Sequence, residues 1–401
     1  MPTQIEGGVT APVGFAAAGV AAGIKRSEKK DVALIFSESP DTSAAAVFTT
    51  NRLAAAPVLI SRRHVAESAP RAIVANSGNA NACSGPDGMH DAVEMARTAA
   101  AELGLDPHQV IVASTGVIGA PLPMDAVVAG IKQAAAGLGS SGFDSAEAIM
   151  TTDTFAKEIA VEFEGGGRTM RVGGIAKGSG MIRPDMATML AFVTTDAPVE
   201  AGYLRHALAK AVRVSFNMIT VDGETSTNDM VAILAGGMAG GDPIGADSEA
   251  APAFEEALAF VCTELAKMIA RDGEGATKFV EVRVDGATSS EDAKRAALAV
   301  ANSPLVKTAL FAQDPNWGRI ASAVGASGAM LSPDKIAIRF GDATVAAGGT
   351  AATTDESAAK AHLAGHDVVV GVDLGVGGAS ATVWTCDLSY DYVKINAEYR
   401  T

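Results

Sequence analysis

The alternation of short, apolar, β-rich runs with Ala-rich helical runs predicts a layered α/β or α+β protein. Two further observations support this class. The 401 residues suffice for about two or three structural units. A composition of 48% hydrophobic and 19% charged residues belongs to a chain with a substantial core and excludes a disordered one. No repeat of fixed period and no long linker interrupts the pattern.

In chain order, Val32–Ser37, Ala45–Thr50, Pro57–Ser61, Ala72–Ala75 and Val110–Ala113 are short, apolar and rich in Val, Ile or Phe, and read as strands. Asp87–Leu103 repeats Ala92, Met95, Ala96, Ala99 and Leu103 at helical intervals, and Met124–Ala136 follows a Pro-Leu-Pro start signal. Both read as helices, as does Asp144–Met150. Glu158–Glu164 and Thr169–Gly174 bracket Gly165-Gly166-Gly167, a hairpin signal because glycine accepts the positive φ of a tight turn. Met189–Thr194 is the strand that follows. Beyond it, helices are expected over Glu200–Val212, Pro252–Ala270, Glu291–Val300 and Thr354–His362. Strands are expected over Phe279–Val284, Leu305–Phe311, Ile336–Phe340, Val368–Leu374 and Ala381–Cys386.

A net charge of −15 repels phosphate backbones and anionic membrane surfaces, so neither nucleic acid nor membrane is expected as a partner. Cys83, Cys262 and Cys386 lie far apart without a CxxC pair, which favours a reducing cytoplasm over a disulfide framework. The charge-free stretch Gly7–Ile24 holds Pro12 and five glycines, unlike a membrane helix or a signal peptide. A soluble, cytoplasmic chain without a targeting segment is the expectation. No metal is expected either: the i,i+4 pair His362 and His366 lacks the glutamate of an HExxH motif and encloses Gly365. Gly173–Gly180 has neither the Walker order nor the Rossmann spacing, and no GxSxG elbow is present.

The segment from Ala176 to Asp196 is unusual. A glycine-rich loop and Pro184 lead into Ala187, then Thr188, which opens an apolar β-run. Threonine at a strand start is ordinarily a β-branched residue suited to a pleated surface. The sharper reading is self-cleavage: the Thr188 hydroxyl attacks the Ala187 carbonyl in an N-to-O acyl shift, and ester hydrolysis frees Thr188 as a new N-terminus. Its α-amine, with a reference pKa of roughly 7.7–8.0, would then activate its own hydroxyl.

Lys177-Gly-Ser-Gly-Met-Ile182 followed by Met186-Ala-Thr-Met-Leu190 resembles the autoprocessing segment of the ornithine acetyltransferase family of arginine biosynthesis, also called glutamate N-acetyltransferase. Further matches run along the chain in the family's order: Val47-Phe-Thr-Thr-Asn-Arg52, Ala75-Asn-Ser-Gly-Asn-Ala-Asn-Ala-Cys83, Ser114-Thr-Gly-Val-Ile-Gly119, Met150-Thr-Thr-Asp-Thr154, Asp272-Gly-Glu-Gly-Ala-Thr-Lys278, Asn302-Ser-Pro-Leu-Val-Lys-Thr308 and Asp314-Pro-Asn-Trp-Gly-Arg319. The end, from Trp384-Thr-Cys-Asp387 to Tyr392-Val-Lys-Ile-Asn396, matches as well.

The resemblance implies an αββα layered sandwich with a smaller second α/β domain in the C-terminal half. Self-cleavage would give an α chain, 1–187, and a β chain, 188–401, assembled as an α2β2 heterotetramer. The implied reaction is ping-pong transfer of acetyl from N2-acetylornithine to Thr188 and then to L-glutamate, with Thr115 and Gly116 as the oxyanion hole. Thr154, Lys177, Thr188, Glu274, Asn396 and Thr401 match substrate-binding positions. No cofactor is implied; acetyl-CoA as a second acetyl donor stays open. So do two rivals, an amidase or aminopeptidase with the same nucleophile and a binding protein in which Thr188 is a plain strand residue. The chain departs from the family pattern at Arg183 and Asp185, just before the cut, and at Glu224.

Overall fold

The computed structural model describes residues 2–183, 189–353 and 356–398. The chain divides into two compact units, one of Met1–Met181, Asp185–Asn217 and Glu224–Ile269, the other of Ile182–Pro184, Met218–Gly223 and Ala270–Thr401.

The first unit begins with β1 (Thr3–Ile5), β2 (Phe15–Val20), β3 (Val32–Ser37), β4 (Ser43–Phe48), α1 (Ala56–Glu67), β5 (Ala72–Asn79) and α2 (Gly85–Leu103). It continues through β6 (Val110–Val117), α3 (Met124–Ala136), α4 (Phe143–Ala148), β7 (Lys157–Gly165) and β8 (Arg168–Lys177). After residues 184–188 come β9 (Leu190–Thr195), α5 (Ala201–Val214), β10 (Met230–Ala235) and α6 (Ala251–Arg271). One sheet has the order β1-β7-β8-β9-β10-β4, the other β2-β3-β5-β6. Strands from both sides of residues 184–188 therefore share a sheet, with Lys177 of β8 opposite Leu190 of β9.

The two-residue period of a strand decides what each sheet face buries. Ile35, Ile73, Ala75, Ile111 and Ala113 of the four-stranded sheet meet Ile175, Leu190, Phe192, Met230 and Leu234 of the six-stranded sheet in one core. The alternate residues Leu34, Val74 and Val112 face the other way, onto Met95, Ala96 and Ala99 of α2 and Val127 and Ile131 of α3. Each such side chain contributes roughly 1.5–3 kcal/mol on full burial. On the outer face of the six-stranded sheet, α6 lies so close to β8 that a Cβ at Gly174 would stand 3.0 Å from Leu265 and 3.1 Å from Val261. The Phe254 ring of the same helix meets Phe163 of β7, centroids 6.1 Å apart. Helix, sheet, sheet, helix is the layer order, the αββα sandwich that the resemblance implies.

The second unit comprises β11 (Phe279–Ala287), α7 (Ser290–Ala301), α8 (Pro304–Phe311), α9 (Trp317–Gly325), β12 (Ala337–Phe340), β13 (Ala343–Ala347), β14 (Thr350–Ala351), α10 (Glu356–Ala364), β15 (Asp367–Asp373), β16 (Ala379–Cys386) and α11 (Tyr390–Glu398). Its sheet, β14-β13-β12-β15-β11-β16, buries Val280, Val282, Val370 and Val372 with Ala293, Ala296 and Val300 of α7. This is the smaller α/β domain.

Two expected strands are helices. Pro57–Ser61 lies inside α1 and Leu305–Phe311 inside α8. Each helix carries proline in its first turn, where the missing N–H costs nothing and the fixed φ suits a helix. At α8 the Ser303 side chain also accepts from Val306 N, capping the helix. Among the described residues, no helix is long and apolar enough to cross a membrane.

Candidate active site

The site is built where β6 and β8 end. β5 and β6 run parallel, with Gly78 opposite Gly116. Gly116 has φ +133°, and a Cβ there would stand 2.3 Å from the Gly78 carbonyl carbon, so only glycine lets the strands stay this close. A net of amides fixes the strand ends. Ser114 Oγ donates to Asn76 Oδ1 at 2.6 Å, and Asn228 Nδ2 donates to Ser114 O at 2.9 Å and Ala80 O at 2.6 Å. Thr115 is thereby held on a rigid strand, 3% exposed.

Lys177 is the last residue of β8, only 2% exposed. Its Nζ donates to Thr151 Oγ1 at 2.8 Å and to Thr115 Oγ1 at 3.4 Å. An ammonium has no acceptor, so the Thr115 oxygen accepts and its own hydrogen is free to be given elsewhere. That is the polarity an oxyanion donor needs. The structure thus brings Thr115, Gly116 and Lys177 together, with Thr154 exposed at the end of the 150–154 loop.

Asp153 lies at the centre of this cluster, its side chain fully buried. Its Oδ1 accepts from Lys157 Nζ at 2.7 Å and Gly178 N at 2.7 Å, and its Oδ2 accepts from Thr151 N at 2.9 Å. Burial alone would raise its pKa; the Lys177 and Lys157 ammonium groups and these hydrogen bonds overcome that and hold it well below the usual carboxylate range. Lys25, which follows β2, packs its stem against Gly78 and donates from Nζ to Lys30 O at 2.6 Å. Burial pushes it down to about 8, against the pull of Asp31 and Asp153, while Lys177 and Lys29 push the same way as burial.

Thr188 and Ala187 lie outside the described residues, as does Asp185; Arg183 is exposed. Just after them, Met189 N donates to Asp229 Oδ1 at 2.8 Å. Asp229 is fully buried, its Oδ2 has no hydrogen-bond partner, and burial raises its pKa well above the ordinary value. That rise is opposed by the Met189 N–H, the Lys177 charge and the Thr49 and Ser226 hydroxyls, and the carboxyl anchors the start of β9. Asp229→Ala is expected to leave the Met189 N–H unsatisfied and to cost about 1–3 kcal/mol of stability, read by chemical denaturation; Asp229→Asn, which keeps an acceptor oxygen, should cost about 1 kcal/mol or less.

In the second unit, Glu274 is 8% exposed and accepts from Asn396 Nδ2 at 2.8 Å. Gly275 has φ +68°, and a Cβ on it would reach Tyr392 N at 2.5 Å, so α11 sits directly on this turn. Ser389 Oγ donates to Gly275 O, and Asp387 Oδ1 accepts from Thr277 N and Lys278 N. Glu274 and Asn396 are therefore paired by a helix that is tied down. Thr401 lies outside the described residues.

Sequence reasoning assigns no role to Asp153, Lys157, Lys25 or Asp229. One signal is present: Lys157 opens an apolar strand, four residues after an aspartate, where a lone cation would be costly. His362 and His366 serve the backbone, Val369 N donating to His362 Nε2 and His366 Nδ1 lying 3.1 Å from Thr277 O. Among the described residues, no group of three or more His, Cys, Asp or Glu is arranged to hold a metal ion.

The ArgJ family model matches residues 16–401. The chain is 56% identical to the arginine biosynthesis bifunctional protein ArgJ of Symbiobacterium thermophilum over 99% of both chains. It is 52% identical to the protein of the same name from Geobacter sulfurreducens, over 97% of this chain and 99% of that one. A solved structure of arginine biosynthesis bifunctional protein ArgJ from Bacillus halodurans is 43% identical, covering 52% of this chain and 98% of its own, with a TM-score of 0.51.

Proposed function

The chain belongs to the ArgJ family, and from that premise we propose that it is the glutamate N-acetyltransferase of arginine biosynthesis, working through an acetyl ester on Thr188. The observation that carries the chemistry is the buried Lys177–Thr115 pair beside Gly116, 3.4 Å from Nζ to Oγ1. In the first half-reaction the Thr188 hydroxyl adds to the acetyl carbonyl of N2-acetylornithine, and its proton passes by way of the Thr188 α-amine to the leaving amine. The C–N bond breaks, ornithine departs, and acetyl remains on oxygen. In the second, the amine of glutamate adds to the ester, the C–O bond breaks, and the Thr188 hydroxyl is regenerated. Both tetrahedral intermediates carry an oxyanion, which the Thr115 hydroxyl and the Gly116 N–H stabilise; one such donor is worth on the order of 10²–10³ in rate.

Acetylornithine and glutamate share an α-carboxylate, and Lys177 supplies its cation, with Thr154 as a further substrate contact. Glu274, held by Asn396, suits the side-chain ammonium of ornithine, and Thr401 completes the substrate contacts. The self-cleaved α and β chains, 1–187 and 188–401, act together as an α2β2 heterotetramer in the cytoplasm. Acetyl-CoA serves as a second donor, in keeping with the word bifunctional in the relatives' names.

The test supplies labelled N2-acetylornithine with and without glutamate. N-acetylglutamate formed only when glutamate is present is the expected product. Free acetate in its absence, at an equal rate, would mean a hydrolase instead. Acetyl-CoA with glutamate and no acetylornithine should also give N-acetylglutamate; none formed would limit the enzyme to the exchange reaction.

A further inference from the structure

Lys177 is nearly inaccessible, so its charge is sustained by neighbours and not by water. Its Nζ stands 4.0 Å from Asp153 Oδ2. The same aspartate fixes both chain segments that frame the lysine: Gly178, next to it in sequence, through Oδ1, and Thr151, whose hydroxyl the lysine touches, through Oδ2. Lys157, fully buried, holds Oδ1 from the start of β7 and lies 4.8 Å from the Phe155 ring centroid. Among the described residues, Lys25 after β2 and Asp229 before β10 also act on the cluster. Asp229 is driven toward its neutral form by burial. Asp153 is the carboxylate whose ion pairs reach both Lys157 and Lys177.

Building on the acetyltransferase reading, we propose that Asp153 is a positioning residue whose negative charge, more than its shape, keeps Lys177 charged and aligned on the Thr115 hydroxyl. Lys157 braces Asp153 from behind. The alternative is that Asp153 exists only to neutralise buried Lys157, a structural pairing without bearing on the reaction.

Two variants separate these. Asp153→Asn removes the carboxylate charge beside two buried ammonium groups and could unfold the chain. The double variant Asp153→Asn with Lys157→Met removes both members of the pair and restores charge balance behind the site, while Lys177 still lacks the Asp153 charge. Each is compared with the wild type for kcat and KM toward N2-acetylornithine and glutamate across pH, and for ornithine affinity by calorimetry. The double variant is expected to keep a loss of about 10²-fold in kcat/KM toward both substrates, since a small misplacement costs that much. The alkaline limb of its rate profile should move to lower pH by about one unit or more, because a buried ammonium with less negative charge beside it releases its proton more readily.

Wild-type kcat/KM and an unmoved alkaline limb in the double variant would overturn the proposal in favour of the structural pairing. A variant that stays uncleaved is judged by ornithine affinity: weakening of about tenfold or more supports the proposal, and wild-type affinity overturns it. A wild-type enzyme that transfers no acetyl would sink the acetyltransferase reading instead, a result distinct from either outcome.

Discussion

Thr188→Ala is expected to yield a single uncleaved chain of 40.4 kDa and a loss of transfer on the order of 10⁴-fold or more, because one atom serves two reactions. On the proposed reading, the Thr188 oxygen would attack its own preceding carbonyl during maturation and the acetyl carbonyl in each turnover. Removing it stops both, and the α-amine that would act as base is never released. Thr188→Ser keeps a hydroxyl and should still be cleaved, more slowly. Denaturing intact mass and N-terminal sequencing decide the matter. The wild type should give two species, one beginning Thr188-Met-Leu-Ala, and Thr188→Ala one. Cleavage persisting in Thr188→Ala would remove Thr188 as the nucleophile. The two pieces expected of the wild type should elute together under native conditions, since β8 and β9, on either side of residues 184–188, are paired over Val172–Lys177 and Leu190–Thr195. With the α-amine as base, activity should also fall as pH drops below about 7, and a flat profile down to about pH 5 would exclude that role.

Much of this site is legible in the sequence because its residues sit in local motifs. Thr115-Gly116 ends an apolar strand, Lys177 ends another, and Glu274 stands between two glycines, the second of which takes a positive φ. What is not legible depends on contacts across long stretches of chain. Asp153 matters because Gly178, 25 residues on, donates to it, and Asp229 because Met189, 40 residues back, does. No periodicity encodes such pairings. The misread strands fail for a different reason. A run of five to eight apolar residues fits a buried strand and one turn or two of a buried helix equally well. At Pro57 and Pro304 the proline, a helix starter, outweighs the β-branched residues that follow. β10 escapes notice for the opposite reason: Met230–Ala235 is buried on both faces, so it shows no alternation, as a central strand flanked by a parallel neighbour commonly does.

Lys177→Met should be the most damaging change among the described residues, lowering kcat/KM by about 10²–10³-fold toward both substrates. Methionine fills similar volume and leaves Asp153 neutralised by Lys157, so the fold should hold. What disappears is a donor and a charge. The Thr151 and Thr115 hydroxyl oxygens lose the ammonium at 2.8 and 3.4 Å, and the Thr115 hydroxyl becomes free to turn away from the oxyanion. Because N2-acetylornithine and glutamate share the α-carboxylate, both KM values should rise together, and the loss of oxyanion alignment should also lower kcat. Lys177→Arg is no substitute: a planar, larger guanidinium cannot replace a compact ammonium in a position this closed. A rise in KM for one substrate alone would place the lysine on a side chain that only that substrate has, and would refute its assignment to the shared carboxylate. A fall in kcat with both KM values unchanged would instead leave Lys177 as a partner of Thr115 only, and the carboxylate would need another cation, for which the half-buried Lys25 beside Gly78 is a candidate.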